Sequence, residues 1–132
     1  MKTVFVNGCF DILHRGHIEL FKYAASLGDT LIVAIDSDER VKSSKGLSRP
    51  FNNQDDRIFM LESIKYIDKV CIFNSTEELE NLIKYVSPDL LVVGSDWVGK
   101  EIVGGEYAKH ICFFDRIPGY STTKIIESSS DR

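Results

Sequence analysis

Two histidines flank a glycine shortly after the first apolar run of the chain, at His14 and His17 of the segment NGCFDILHRGH. Residues three apart share one side of a helical turn, so both imidazoles can face one ligand if a helix begins there. A helix N-terminus also offers free N–H groups and the positive end of the helix dipole, which favour phosphate. The pattern therefore indicates transfer at a phosphorus atom. Catalysis of such transfer is mostly positioning and electrostatic stabilisation, with an oxygen of the second substrate as attacking group.

Two other interpretations of the histidines are open. In the first, His14 only caps the helix and His17 only packs at its start. In the second, both bind a metal, but two histidines alone make a poor zinc site, and no third ligand is evident. Gly8 and Gly16 favour the phosphate interpretation, because glycine lets the main chain turn sharply and approach a ligand closely.

A second candidate anion site lies at residues 116–124, RIPGYSTTK. Three hydroxyl residues, Ser121, Thr122 and Thr123, stand where a helix is predicted to begin, and Arg116 precedes them. Hydroxyl and main-chain N–H groups can hold the β- and γ-phosphates of a nucleoside triphosphate, while a guanidinium pairs with their oxygens. The alternative is a simple helix N-cap. The presence of the histidine pair favours the ligand interpretation.

Further polar residues follow strand-like runs. Lys45 lies in residues 43–53, a polar segment predicted as a loop, from which it can reach bound phosphates; the alternative is a solvated lysine. Asp96 and Trp97 follow Gly94 and are candidates for a ribose contact and a pocket wall. The alternative for that segment is a turn with a partly buried tryptophan.

Strand-like and helix-like runs alternate along the whole chain. Buried-strand patterns are predicted at residues 3–7, 30–35, 69–73, 90–93 and 111–114, and helical spacing at residues 18–27, 57–67, 75–86 and from 121 onward. Such alternation implies right-handed crossovers and a parallel sheet covered on both faces. We therefore expect one doubly wound, Rossmann-like α/β domain spanning residues 1–132, with ligands beyond the carboxyl ends of the strands.

Composition excludes several classes of function. Lysine and arginine total 16 against 20 for aspartate and glutamate, a net charge of −4, which gives no support to nucleic-acid binding. No stretch approaches the roughly 20 apolar residues that span a bilayer, so no membrane segment is expected. Cys9, Cys71 and Cys112 are widely separated in apolar runs, which predicts reduced thiols and a cytoplasmic protein.

Residues 8–17, which we term the histidine motif, resemble the nucleotide-binding motif of the cytidylyltransferase-like family, and the similarity extends over nearly the whole chain. The resemblance implies nucleotidyl transfer with release of pyrophosphate. It implies that Lys45, rather than Lys42, neutralises phosphate charge together with Arg116, and that the two histidines stabilise the transition state. The implied nucleotide-binding residues are Gly8, Cys9, Phe10, Asp11, Gly16, Gly94, Asp96, Trp97, Ser121, Thr122 and Thr123.

Two branches of this family differ in base and acceptor. Residues 49–52 and Arg57 resemble heptose-phosphate adenylyltransferases, which favours ATP and a phosphorylated heptose or related sugar. Residues 94–100 instead resemble glycerol-3-phosphate cytidylyltransferase, so CTP with a polyol phosphate is the alternative. Asp38 and Arg57 are the candidate acceptor-binding residues. Asp38 can otherwise be a solvated carboxylate, and Arg57 a dimer contact or a surface charge.

The resemblance also implies partners. Magnesium is expected because a triphosphate normally arrives as its magnesium complex, although the sequence itself offers no dense carboxylate cage for it. A homodimer is implied, and joint exposure of Phe21, Tyr23 or Tyr66 would support it. An alternative of a different class is a nucleotide-binding sensor without catalysis, although such a protein does not need paired histidines at a helix start.

Overall fold

Alternating strands and helices make up a single α/β domain in the computed structural model, which describes residues 1–115. The strands are β1 (Thr3–Gly8), β2 (Thr30–Asp36), β3 (Lys69–Phe73), β4 (Leu90–Gly94) and β5 (His110–Phe114). The helices are α1 (Arg15–Ser26), α2 (Asp38–Lys45), α3 (Gln54–Glu62) and α4 (Thr76–Val86). Single 3-10 turns follow at Ser95–Trp97 and Gly105–Tyr107.

The five strands form one sheet in the order β3-β2-β1-β4-β5, and all four pairings are parallel. The chain runs outward from β1 through β2 to β3, and then returns to the other side of β1 for β4 and β5. The winding therefore reverses between β1 and β4, which confirms the doubly wound prediction and puts the expected ligand site at their carboxyl ends.

Both faces of the sheet are covered, as the continuous apolar strands predict. In β1, Val4 and Val6 face a cluster that includes Phe21 of α1 and Leu61 of α3. Phe5, between them, faces the opposite cluster, which includes Leu79 and Ile83 of α4. The alternation of side chains along one strand thus supplies two cores, and helices α1 and α3 lie on the face opposite α4.

Phe21, Tyr23 and Tyr66 are not exposed together, so the support that their joint exposure would give to a homodimer is not found. Phe21 is completely buried and packs against the Phe10 ring, with 5.0 Å between ring centroids. Tyr66 is half-buried against the same core, and of the three only Tyr23, next to Phe114, is exposed. The burial of Phe21 follows because α1 presents its apolar stripe to the sheet.

The structure also corrects one predicted loop. Residues 38–45 form α2, whose polar composition leaves only Val41 buried and therefore gives no apolar periodicity to detect. Its ends nevertheless carry helix signals, because the Ser37 hydroxyl accepts the N–H of Arg40 and lysines occupy the last turn. The exposed loop begins only at Gly46.

The remaining helices follow the predicted spacing with shifted ends. Helix α1 begins at Arg15, three residues before the predicted start, and α3 ends at Glu62, five residues before the predicted end. Helix α4 is capped by Ser75 as expected, with the Ser75 hydroxyl accepting the N–H of Glu78 at 3.1 Å. Among residues 1–115, no helix is long and apolar enough to cross a membrane. The predicted helix from residue 121 lies outside the described residues.

Candidate active site

A pocket of about 570 Å³ lies at the carboxyl ends of β1, β2 and β4, where the winding reverses. Most of the predicted site residues line it together. They are Gly8, Cys9, Phe10, Asp11, His14, Gly16, His17, Lys45, Gly94, Asp96 and Trp97. Residues that are far apart in sequence thus converge on one cavity, as the topology requires of a parallel sheet.

The turn after β1 is built around Phe10. Its main chain adopts a left-handed conformation, with φ 49°, and its ring folds back over Gly8. A Cβ on Gly8 would come within 2.9 Å of that ring, so glycine is required by the close packing. The Phe10 ring also meets His17 edge-on, with 5.3 Å between centroids. Phe10 is 7% exposed and therefore supports the histidine more than it faces a ligand.

The histidine pair occupies the first turn of α1. His14 is the N-cap residue, with extended main chain, and the two imidazoles stack with 3.8 Å between centroids and 22° between planes. The main-chain N–H of His14 donates to Nδ1 of His17 at 3.3 Å. Because a main-chain N–H can only donate, Nδ1 is an acceptor, and the proton of the neutral His17 ring is on Nε2.

These contacts combine two of the interpretations drawn from sequence. His14 does occupy the cap position and His17 does pack at the helix start, as the structural alternative states. Both residues also line the pocket, where the helix N-terminus adds N–H groups. Among residues 1–115, no group of three or more histidine, cysteine, aspartate or glutamate side chains is arranged to hold a metal ion.

Helix α2 supplies the cationic side of the pocket. Lys45, its last residue, lines the cavity, whereas Lys42, one turn earlier, does not. Arg40 lines it as well, with its Nε 2.6 Å from a carboxylate oxygen of Asp36. Asp36 and Arg40 escaped sequence analysis, although Asp36 stands at the end of a strand and Arg40 four residues later in a helix.

Cys9 forms part of the pocket wall close to these charges. Burial raises the pKa of the Cys9 thiol above its ordinary value, and the positive charges of Lys45 and Arg57 partly oppose that shift. A raised pKa keeps the thiol protonated at neutral pH, which disfavours its use as a nucleophile. This agrees with direct attack by the second substrate, which needs no nucleophilic side chain.

The turn after β4 provides the third wall. Asp96 and Trp97 lie in the 3-10 turn that directly follows the strand, and both line the pocket. Trp97 is 46% exposed, and the Lys100 ammonium lies 5.9 Å from its ring centroid. Ile102 and Val103 add an apolar surface beside it. An aromatic ring and aliphatic side chains at a pocket mouth suit the flat face of a base.

Asp11 contributes little to the cavity surface. Its side chain is almost completely buried, and its two carboxylate oxygens accept the main-chain N–H groups of Phe51 and Asn52, both at 2.7 Å. One of them also accepts Nε of Arg49 at 3.2 Å. The resemblance placed Asp11 among the nucleotide-binding residues, but its carboxylate oxygens bind the protein itself.

Asp38 and Arg57 do not line the pocket, contrary to the acceptor-binding expectation. Arg57 is 1% exposed, so it is not a surface charge either. Its guanidinium donates to the main-chain oxygens of Cys9, Asp36 and Asn52 and to the Asp38 carboxylate, at 2.8 to 3.1 Å. A buried arginine needs such partners, and here they come from the main chain behind the pocket.

Arg116 and Ser121 to Thr123 lie outside the described residues. The convergence of this second anion site with the histidine motif therefore stays a prediction. The end of β5 at Phe114 does line the pocket, so the chain leaves the described part of the structure beside the cavity.

Comparison with known proteins gives the same fold and identifies the family. The cytidylyltransferase-like family model matches residues 5–128. The chain is 47% identical over 130 residues to the bifunctional protein HldE of Campylobacter concisus, covering 98% of this chain and 27% of that protein. It is 49% identical over 126 residues to HldE of a Nitratiruptor species, and the match covers 96% of this chain and 27% of that protein. The chain thus spans about a quarter of the length of these relatives.

Solved structures agree at the level of the fold. The lipopolysaccharide core biosynthesis protein from Thermoplasma volcanium has a TM-score of 0.69 at 24% identity, covering 92% of this chain and 99% of that one. A pantoate-β-alanine ligase from Francisella tularensis has a TM-score of 0.58 at 18% identity, and the match covers 98% of this chain and 69% of that one. With the family match over nearly its whole length, the chain belongs to the cytidylyltransferase-like family.

Proposed function

We propose that the protein transfers AMP from ATP to a phosphorylated sugar such as a heptose 1-phosphate and releases pyrophosphate. The observation that carries this proposal is the stacked pair of His14 and His17 at the start of α1, inside the pocket where the sheet reverses. Family membership supports nucleotidyl transfer. The relatives, at 45 to 49% identity, match this chain through about a quarter of their length.

In the proposed reaction, an oxygen of the acceptor phosphate attacks the α-phosphorus of the nucleotide. The bond from that phosphorus to the oxygen bridging to the β-phosphate breaks, and pyrophosphate leaves with the bonding electron pair. The Nε2–H of His17 donates to the phosphate oxygens, whose charge grows in the transition state, and Lys45 neutralises it from the opposite wall. Arg116 and Ser121 to Thr123 are proposed to hold the triphosphate tail.

The base and ribose are assigned to the wall after β4. We propose that Asp96 contacts the ribose and that Trp97, with Ile102 and Val103, packs against the base. The resemblance of residues 94–100 to glycerol-3-phosphate cytidylyltransferase keeps CTP with glycerol 3-phosphate as the second candidate. ATP is favoured by the resemblance of residues 49–57 to heptose-phosphate adenylyltransferases.

A turnover screen tests the proposal. ATP and CTP are each combined with heptose 1-phosphate and with glycerol 3-phosphate, and pyrophosphate release is followed. We expect release only with ATP and heptose 1-phosphate together. Release with CTP and glycerol 3-phosphate alone would establish the alternative. ATP binding by calorimetry without transfer to either acceptor would contradict the proposal and favour a nucleotide sensor.

The partners are proposed on the same basis. Magnesium would arrive bound to the nucleotide, because a triphosphate normally carries it as a complex, and no step above depends on it. The cytoplasm is proposed because Cys9, Cys71 and Cys112 are all free thiols, as expected in a reducing compartment.

A homodimer is proposed from family resemblance. Phe21, Tyr23 and Tyr66 are not exposed together, but Phe51, Phe59 and Met60 are exposed at 71%, 71% and 53%. Light scattering of the purified protein would measure its mass, and a monomeric mass would reject the dimer.

A further inference from the structure

The pocket lysine lies on a segment that is anchored at both ends and packs on the core through Val41. Residues 38–52, which we term the anchored segment, comprise α2 and the loop that leads to α3. Residues 42–48, including Lys45, are all exposed. Gly46 has a φ of 103°, and a Cβ there would meet no atom within 4 Å. Past Val41, the position of Lys45 therefore depends on what holds the two ends of the segment.

Arg57 holds the first end. Its Nη2 donates to the Asp38 carboxylate at 2.8 Å, and its Nη1 donates to the main-chain oxygen of Asp36 at 2.8 Å. The same Nη1 donates to the main-chain oxygen of Cys9 at 3.0 Å. One buried guanidinium thus ties the start of α2 to the histidine motif.

Asp11 holds the second end. Its carboxylate accepts the N–H groups of Phe51 and Asn52, and its main-chain oxygen accepts the side-chain amide of Asn52 at 2.8 Å. Arg57 adds a bond from Nε to the main-chain oxygen of Asn52 at 3.1 Å. The exit of the segment is therefore tied to the same motif as its entry.

We propose that Asp11 and Arg57 are positioning residues, which fix both ends of the anchored segment on the histidine motif and thereby set Lys45 against the phosphates bound there. The inference rests on the proposed function for the role of Lys45. It differs from the family expectation for Asp11, because neither residue needs to touch a substrate. Misplacement of a catalytic group by about 1 Å can lower the rate roughly 100-fold, so such anchors matter for kcat.

A double-mutant cycle tests whether Asp11 acts through Lys45. Asp11→Asn replaces one acceptor oxygen by an amide that faces main-chain N–H donors, so one anchor bond is lost. We expect kcat to fall roughly 10- to 100-fold with little change in KM for the nucleotide. In a Lys45→Ala background the same substitution should lower kcat less than about 3-fold, because the group it positions is already gone. Equal losses in both backgrounds would overturn the proposal.

Arg57→Lys provides a second variant if Asp11→Asn does not fold. Lysine keeps the charge but has no planar fork to join separate acceptors, so the same dependence on Lys45 is expected. Asp68→Asn is the matched control. The Asp68 carboxylate also accepts a main-chain N–H, that of Leu31 at 2.7 Å, but at the opposite edge of the sheet. It should leave kcat unchanged.

Limited proteolysis provides a readout that does not depend on catalysis. Trypsin cleaves after lysine, and the bond from Lys45 to Gly46 lies in the exposed part of the anchored segment. We expect Asp11→Asn to speed cleavage there about 10-fold, and Asp68→Asn to leave it unchanged. Equal rates in Asp11→Asn and the parent protein would overturn the anchoring itself. Absence of transfer by the parent protein, with faster cleavage in Asp11→Asn, would reject the proposed function alone.

Discussion

The main-chain N–H of His14 donates to Nδ1 of His17, and the two rings stack 3.8 Å apart. The hydrogen bond closes the first turn of α1 and, at the same time, sets the tautomer of His17. The capping of the helix and the proposed chemistry therefore use different atoms of one imidazole. Nδ1 caps the helix and the proposal assigns Nε2 to the substrate, so substitutions can separate the two roles.

Asparagine and glutamine at position 17 should have different effects. Asparagine places its side-chain oxygen near the position of Nδ1 and keeps the cap, but it has no group at Nε2. We expect His17→Asn to lower kcat by roughly 100- to 1000-fold, as when one transition-state donor is removed, with a Tm within a few degrees of the parent. Steady-state pyrophosphate release and thermal unfolding measure the two effects.

His17→Gln is the matched variant, because its side-chain amide reaches the position of Nε2. We expect it to retain more activity than His17→Asn despite losing the cap acceptor. Near-normal turnover of His17→Asn would show that Nε2 takes no part in the reaction.

Lys45 and Lys42 lie in one helix and differ in their relation to the pocket. Lys45 lines the cavity and Lys42 does not, so the proposed neutralisation of phosphate charge is assigned to Lys45. We expect Lys45→Ala to lower kcat roughly 100-fold and Lys42→Ala to leave it within about 2-fold. Both lysines are exposed, so neither change should alter unfolding by more than about 0.5 kcal/mol. Equal losses in turnover would mean that only the net charge of α2 matters.

Cys9 reports on occupancy of the pocket. Burial raises the pKa of the thiols of both Cys9 and Cys71, which makes both slow to alkylate at neutral pH, but only Cys9 lines the cavity. We expect ATP to slow alkylation of Cys9 by iodoacetamide several-fold and to leave Cys71 unchanged, as followed by mass spectrometry of each peptide. Equal rates at Cys9 with and without ATP would place the nucleotide elsewhere.

Asp89, at the edge of the sheet away from the pocket, makes the stability of the folded protein depend on pH. The N–H of Thr3 donates to its carboxylate at 2.8 Å and Lys109 pairs with it at 3.0 Å, which together lower the pKa of Asp89. A lowered folded-state pKa adds stability above the unfolded value, about 3.9, and that stability is lost as pH falls through the folded value. Asp89→Asn should therefore be less stable than the parent at pH 7.

Urea unfolding at several pH values measures this difference. We expect it to shrink as pH falls below about 4, because both proteins then carry an uncharged side chain at position 89. A difference that stays constant down to pH 2 would show that the charge of Asp89 has no part in stability.

The sequence was sufficient to predict the strands of the sheet and most of the residues that line the pocket. All five strands lie where apolar runs were found, because a buried parallel strand needs a continuous apolar stretch and little else. His14, His17, Asp96 and Trp97 then meet because carboxyl ends of parallel strands share one edge. Helix α2 was missed because it packs through Val41 alone, so its sequence carries caps but no periodicity.

The sequence could not predict which groups the charged side chains near the site would bind. Asp11 and Arg57 were expected to face substrates, and both instead bond to main-chain groups of loops that are distant in sequence. A charged residue in a motif looks the same whether it binds ligand or protein, because only the fold shows which acceptors lie within reach. Arg40 and Asp36 were missed because they belong to no recognisable motif, although both line the pocket.

A crystal structure with an ATP analogue that cannot be cleaved between the α- and β-phosphates tests the central claim most directly. The account predicts phosphate oxygens within hydrogen-bond distance of Nε2 of His17, the Lys45 ammonium facing them, and the triphosphate tail at Ser121 to Thr123. A nucleotide bound with its phosphates away from both imidazoles would contradict it.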